Sequence, residues 1–166
     1  MRPRLAAAAA LGALLAACGT GGTDPAAPPL RFTVGTLDFS PVSGGVVRSG
    51  GQLEIYLSDQ IDTCLAVAHT PVGTATYLRL VVAPPTSGPQ VAAVVPPKPV
   101  PAPGEAVGAL EQFTGVVAGT AYPASEGTLG WSGGASGDVI LETIDVGFAG
   151  AAGRITASGL RLTACN

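Results

Sequence analysis

The sequence predicts an all-β domain, an antiparallel β-sandwich or small barrel of about six to nine short strands with one short helix near residues 59–68. Three observations predict this class. Only 11% of the 166 residues are charged, while 24 are glycine and 15 are proline, a composition that disfavours long helices. Several short segments alternate apolar and polar residues, which is the period of a half-buried strand. Clusters of Gly, Pro and Ser separate these segments, as turns do.

The first strands are predicted between residues 31 and 58. Arg31–Phe39 alternates except at Gly35, which predicts one strand with a bulge. Pro41–Gly51 is rich in turn residues and predicts a connection between strands. Gln52–Ser58 alternates most cleanly and is the clearest strand in the chain. Its inward side chains are Leu53, Ile55 and Leu57, and its outward ones are Gln52, Glu54 and Tyr56.

The helix is predicted directly after this strand. Ser58 suits an N-cap, and acidic residues at 59 and 62 suit the first turn of a helix. Apolar side chains then follow at helical spacing, and Thr70-Pro71 ends the pattern. This helix would direct Cys64 towards the core. The apolar series is Ile61, Cys64, Leu65 and Ala68.

The second half of the domain predicts further strands and no internal repeat. Five prolines in residues 96–104 predict an extended loop or a sheet-edge segment, and the alternative is a segment that docks into an aromatic groove. The last strand is predicted to contain a bulge at Gly159. A Gly-rich turn at 133–137 predicts a hairpin between its two flanking segments. The predicted strands are 75–83, a short one at 91–95, 107–113, 128–132, 139–146 and 155–165.

The first nineteen residues have the layout of a secretory signal. Arg2 and Arg4 precede an apolar run, Leu5–Ala17, that is too short to span a bilayer as a helix, which needs about 20 residues. The run ends in Leu-Ala-Ala followed by Cys18 and Gly19. This ending resembles the lipobox of bacterial lipoproteins. The resemblance implies cleavage before Cys18, a diacylglyceryl thioether on its sulfur and usually an amide-linked acyl chain.

The resemblance divides the chain into three parts. Residues 1–17 would be the signal peptide, residues 18–29 a lipid-anchored flexible tether, and residues 30–166 a single β-rich domain. Two acyl groups or more give stable membrane anchoring, whereas one holds only marginally. Gly19, rather than Asp, at the second mature position resembles outer-membrane sorting. The expected location is therefore the cell envelope, facing the periplasm or the exterior, in the outer membrane if the source has one.

The net charge limits the possible partners of the protein, and its cysteine content indicates the compartment. Without Arg2 and Arg4 the formal charge of −3 becomes −5, which argues against nucleic acid as a partner. With Cys18 reserved for lipid, Cys64 and Cys165 remain in an oxidising compartment, where pairing is the default. Two free buried thiols are the alternative.

No motif in the sequence indicates catalysis. Residues 130–134 match G-x-S-x-G, but the nucleophile elbow needs a helix after Ser132 and a histidine downstream, and His69 lies upstream. Strand alternation separates Glu142 from Asp145, which weakens a calcium site with Asp138. We therefore predict no catalytic, metal or cofactor-binding residue. A sugar-stacking platform of Tyr56, Tyr77, Tyr122 and Trp131 is a weaker alternative to isolated amphipathic surface residues.

The sequence therefore predicts a lipid-anchored envelope lipoprotein without enzymatic activity, which binds an unspecified envelope protein or glycan or has a structural role. The layout of its body also resembles small uncharacterised β-rich lipoproteins of bacteria with GC-rich genomes. Two alternatives stay open: an envelope hydrolase with acidic catalytic residues, and a small-ligand carrier with a barrel cavity.

Overall fold

The computed structural model describes residues 30–64, 73–133 and 137–165, and these residues form an almost entirely β structure. Eleven strands are present in the described residues. In chain order they are β1 Phe32–Val34, β2 Leu37–Phe39, β3 Ser43–Ser49, β4 Gln52–Ser58, β5 Thr74–Ala83, β6 Val91–Val94, β7 Glu105–Thr114, β8 Val117–Gly133, β9 Val139–Phe148, β10 Arg154–Ala157 and β11 Leu160–Ala164. The predicted all-β class is confirmed.

The main sheet closes on itself to form a barrel. The pairing order runs β9, β11, β3, β4, β5, β7 and β8, and β8 pairs again with β9. These neighbours are antiparallel except for β11 and β3, which run parallel. Short β6 inserts between the start of β7 and the second half of β8, and β10 pairs with the end of β9. Closure removes most free strand edges, which are sites of aggregation in open sheets.

Alternation along the strands fills the barrel with aliphatic side chains. Leu53, Ile55 and Leu57 of β4 face inward as predicted and belong to one continuous core. The inward residues of β5, β8 and β9 belong to the same core, which also includes the β1–β2 hairpin. Burial of this apolar surface supplies the main stabilisation of the fold. The largest fully buried side chains outside β4 are Phe39, Leu78, Leu80, Leu110, Leu129, Leu141, Ile144, Ile155, Leu162 and Val34.

The two glycines predicted as bulges each interrupt strand structure, which partly explains why the strands outnumber the predicted six to nine. Gly35 has a φ of 58° and forms a turn between β1 and β2, which pair with each other. Its missing Cβ would lie 2.4 Å from the ring of Tyr122, whose hydroxyl accepts a hydrogen bond from the N–H of Thr36. Gly159, with a φ of 68°, lies between β10 and β11, which pair with β9 in one continuous register, so the strand is interrupted there without a change of direction. Both angles favour glycine because other residues are strained there.

Two further segments also differ from the sequence prediction. Residues 43–49, predicted as turn, form β3 and pair along their whole length with β4. Residues 117–127, for which no strand was predicted, form the first part of β8. Much of that part is exposed on both faces, so it carries no alternating pattern.

The residues directly after β4 are not helical, contrary to the sequence prediction. Ser58 ends β4, and its Oγ accepts a hydrogen bond from the N–H of Gln60. Residues 59–61 form bends, and helical backbone begins at Thr63. The capping group is instead Asp62, whose Oδ1 accepts a 2.9 Å hydrogen bond from the N–H of Cys64. The remainder of the predicted helix, residues 65–68, lies outside the described residues.

Candidate functional site

Cys64 and Cys165 form a disulfide on the outside of the barrel, as predicted, with their Cα atoms 5.5 Å apart. The bond lies beside the parallel junction of β11 and β3, where Thr163 pairs with Gly45 and Ala164 with Val46. The N–H of Cys165 extends this short junction with a 2.9 Å hydrogen bond to the carbonyl of Val46. The disulfide therefore reinforces the pairing of β11 with β3, which has the fewest paired residues of any neighbouring strands around the barrel.

The segment between β4 and the disulfide is also held against β3. The Ser43 hydroxyl hydrogen-bonds to the carbonyl of Gln60 and to the hydroxyl of Thr63. Gly45 leaves room for this arrangement, because a Cβ there would lie 2.8 Å from Sγ of Cys165 and 3.1 Å from Cγ2 of Thr63. The outer surface of β3 is thus shaped around the disulfide.

The predicted lipid attachment residue, Cys18, lies outside the described residues, as do the signal peptide and the tether. The described chain begins at Leu30, which lines an apolar hollow of about 140 Å³ beside the start of β3. Within the described residues, no helix is long and apolar enough to cross a membrane. The site described below is formed by residues of the barrel alone.

A second hollow, of about 330 Å³, lies on the outer face of β4, β5 and β7; we call it the polar hollow. Its central feature is an ion pair between Arg79 and Glu54, with 2.9 Å between Nη2 and Oε2. Tyr56 lies opposite Arg79 in the strand register and donates a 2.8 Å hydrogen bond to Glu54. The remaining lining residues are Gln52, Val81, Pro97, Lys98, Pro99, Val107 and Gly108.

The electrostatics of this cluster follow from partial burial of all three side chains. Burial raises the pKa of the Tyr56 hydroxyl, and its hydrogen bond to Glu54 raises it further. Burial alone would lower the pKa of Arg79, but the hydrogen bonds to Glu54 and Tyr56 reverse the direction and raise it. The cluster therefore holds one positive and one negative charge, with a neutral phenol between them.

Arg79 presents its positive charge to the hollow. Its side chain is partly exposed, and it uses Nε and Nη2 to contact Glu54 and Tyr56. A guanidinium has five N–H donors, and these bonds use donors of Nε and Nη2. Because Arg79 also lines the polar hollow, a carboxylate there would meet a positive charge.

The proline-rich segment 96–104 forms one wall of the polar hollow, in agreement with the predicted extended loop. Lys98 pairs with the carboxylate of Glu105, which also accepts a 2.7 Å hydrogen bond from the N–H of Ala102. These two bonds lower the pKa of Glu105, with the larger contribution from Lys98. The loop is thus fixed to the start of β7 at both of these points.

Ser132, the centre of the G-x-S-x-G match, lies in extended strand β8 opposite Ile140. Its hydroxyl donates a 2.6 Å hydrogen bond to Oε1 of Glu142 on the neighbouring strand. A nucleophile elbow instead places its serine on a strained turn before a helix. His69, the other member of that hypothesis, lies outside the described residues.

The three carboxylates that the sequence offered as calcium ligands each contact a different partner. Asp138 pairs with Arg161 at 3.1 Å, and Asp145 pairs with Arg154 at 2.9 Å. Glu142 accepts the bond from Ser132. In the part of the chain that the structure describes, no group of three or more His, Cys, Asp or Glu side chains is arranged to hold a metal ion.

The four aromatic residues considered as a platform do not share an exposed surface. Tyr56, Tyr77 and Trp131 are buried, and the hydroxyl of half-buried Tyr122 is bonded to Thr36. Tyr56 and Tyr77 lie on the outer faces of their strands, as the alternation predicts, but both are covered. The interpretation as exposed surface residues is therefore wrong for these two.

Sequence reasoning did not find the Glu54–Arg79 pair. Alternation placed Glu54 on the outer face of its strand, but a partner on the next strand depends on the pairing register. That register sets Tyr56 against Arg79 and Glu54 against Val81, so Arg79 reaches diagonally to Glu54. The available signal was an acidic residue on the outer face of one strand and a basic residue on that of the next.

Compared with protein-family models, with curated proteins and with solved structures, the chain matches none. Its function is therefore argued from its own residues.

Proposed function

We propose that this chain is a lipid-anchored lipoprotein of the cell envelope whose β-barrel acts as a non-enzymatic binding or structural module. The bond between Cys64 and Cys165 is the observation that carries the proposal. It leaves Cys18, in the sequence Leu-Ala-Ala-Cys, as the remaining cysteine of the three in the chain. Disulfides persist in oxidising compartments such as the periplasm or the cell surface, where lipoproteins are displayed.

Because the barrel interior is filled with side chains, we expect partners to bind on its outer surface and not in an internal cavity. One continuous apolar cluster occupies the interior, which gives the small-ligand carrier no specific support. The acidic residues Glu54, Asp138 and Asp145 are each engaged with an arginine. A hydrolase would need two carboxylates facing a common cleft, and these ion pairs do not supply such a pair.

Substitution of Cys18 tests the anchoring. In cells, Cys18→Ser should accumulate as an uncleaved precursor without acyl groups, which mass spectrometry of the purified chain would detect. The matched control, Cys64→Ser with Cys165→Ser, should still be cleaved and acylated at Cys18 because it keeps the lipobox. Normal cleavage and membrane attachment of Cys18→Ser would overturn the proposal.

The polar hollow is the surface that we expect to contact a polar envelope partner, a protein or a glycan. A photo-crosslinking amino acid at Gln52, on the rim of the hollow, should trap a defined partner in cells. The same group at Glu126, an exposed position on β8 across the barrel, serves as the control. Equal yields from the two positions would remove the hollow as the binding site.

A further inference from the structure

Exposed apolar side chains are concentrated at one edge of the barrel. The side chains of Ile61 and Val116 are 92% and 83% exposed, and those of Val42 and Val117 are also largely exposed. Val42 precedes β3 and Ile61 follows β4, while Val116 lies in the turn between β7 and β8 and Val117 begins β8. We call these four residues the apolar edge.

The strand registers show that the four residues share one edge. Ser43 at the start of β3 pairs with Ser58 at the end of β4. Ser58 pairs with Tyr77 near the start of β5, and Thr74 at that start pairs with Thr114 at the end of β7. The segments that carry the apolar edge therefore leave the sheet on the same side.

The chain that leads to Cys18 enters the barrel at this same edge. Leu30, the first described residue, contacts the apolar hollow together with Pro41, Val42 and Leu57. Only twelve residues, Cys18 to Pro29, separate Leu30 from the signal peptide. A flexible chain of that length has a root-mean-square span of about 19 Å. The domain itself is about 37 Å across for its length.

From this juxtaposition we infer that the apolar edge rests on the lipid bilayer, with Val42, Ile61, Val116 and Val117 in the interface between headgroups and acyl chains. The inference rests on the proposed lipid anchor at Cys18. A tether shorter than the domain keeps the edge where it enters the barrel nearest the membrane. Even weak apolar contacts then suffice, because tethering gives an effective concentration in the millimolar range.

Carboxylates near the apolar edge are turned towards the backbone. Both oxygens of Asp59 accept the N–H of Thr76, at 2.9 and 3.0 Å, and Asp62 accepts the N–H of Cys64. The domain carries net negative charge, so attraction to anionic lipid does not drive the contact. The edge should therefore bind phosphatidylcholine, which has no net charge.

Quenching of tryptophan fluorescence by brominated phosphatidylcholine measures this contact. The lipidated protein is incorporated into vesicles as Val42→Trp, Val116→Trp or Val100→Trp. Val100 is the matched control because it is 64% exposed but lies in the loop that leads into the start of β7, at the opposite edge. The parent protein gives the background of Trp131, which is buried.

We expect Val42→Trp and Val116→Trp to lose more than about half of their added emission, since interfacial side chains insert about 5–10 Å into the bilayer surface. Val100→Trp should keep nearly all of it. Equal quenching at the three positions, or stronger quenching at Val100→Trp, would overturn the inference. Burial of Val116→Trp that appears only at high surface density would indicate self-association instead, and would overturn it as well.

The experiment distinguishes a protein that lacks the lipid anchor from an anchored protein whose apolar edge does not face the bilayer. Mass spectrometry of the same preparation reports whether Cys18 carries acyl groups. If it does not, the proposed function fails, and coupling the Cys18 thiol to a maleimide lipid still allows the quenching assay. Because Cys64 and Cys165 are bonded to each other, Cys18 is the cysteine that reacts.

Discussion

Cys64 and Cys165 are bonded across the junction where β11 runs parallel to β3. Each of the other strand junctions around the barrel has at least three residue pairs, whereas this one has two. The bonded cysteines are also 101 positions apart in the sequence. The bond thus combines a short junction with a long loop, a situation in which a covalent link restricts the unfolded chain strongly.

Removal of the disulfide should destabilise the barrel. We expect Cys64→Ser with Cys165→Ser to lower the free energy of unfolding by about 2–5 kcal/mol, because the unfolded chain regains the freedom of the closed loop. Urea unfolding with and without a reductant measures the change. The reductant should lower the midpoint of the parent protein and leave the double variant unaffected. Equal sensitivity of the two proteins would contradict this account.

Gly45→Ala should destabilise the protein because its Cβ would meet Sγ of Cys165 at 2.8 Å. Overpacking of this kind costs about 1–3 kcal/mol. In a double-mutant cycle with Cys64→Ser and Cys165→Ser the cost should fall, since Cys165 is then free to move. Gly130→Ala is the matched control, with its nearest neighbour at 3.8 Å. An equal cost in both backgrounds would show that the disulfide does not set the size limit at residue 45.

Tyr56→Phe and Tyr77→Phe should have different effects at neutral pH. The Tyr56 hydroxyl bonds to Glu54 and Arg79, and hydrogen bonds to charged groups contribute about 1.5–3 kcal/mol. The Tyr77 hydroxyl is buried and makes no hydrogen bond with the described residues. Thus Tyr77→Phe should leave stability unchanged or raise it, because it removes a buried polar group. Thermal unfolding of the pair measures the difference, and a larger loss for Tyr77→Phe would contradict the arrangement.

Stability should fall in alkaline solution. Burial raises the pKa of Tyr56 and Tyr77 in the folded protein, while an unfolded tyrosine titrates near about 10. Their stabilising contribution is fully present below the unfolded pKa, and it is lost as pH rises through the folded pKa. Urea midpoints should stay level below about pH 9 and decline as the pH rises through about 10 and above, and Tyr56→Phe should flatten the decline. A decline of equal slope in the parent and the variant would exclude Tyr56 as its source.

The clearest parts of the fold were predictable because one face of a strand meets the core and the other does not. Gln52–Ser58 shows this alternation, and its three inward residues are those expected. Ser43–Ser49 did not, because Gly44 and Gly45 resemble turn residues. Their lack of side chains has a packing cause: a Cβ at Gly44 would meet Leu162, and one at Gly45 would meet Cys165.

Closure of the barrel could not be predicted from local pattern. It depends on the parallel pairing of Thr163 with Gly45, residues more than a hundred positions apart. The disulfide was predictable from cysteine count alone, because reserving Cys18 for lipid leaves two cysteines. The polar hollow was not, because the contact between Arg79 and Glu54 depends on strand register and not on sequence spacing.

The central claim, that Cys18 carries the lipid that anchors this barrel, is tested most directly by the mass of the first peptide of the protein extracted from membranes. The account predicts a peptide that begins at Cys18 and carries a diacylglyceryl group. A peptide that begins elsewhere, or a Cys18 with an unmodified thiol, would contradict it.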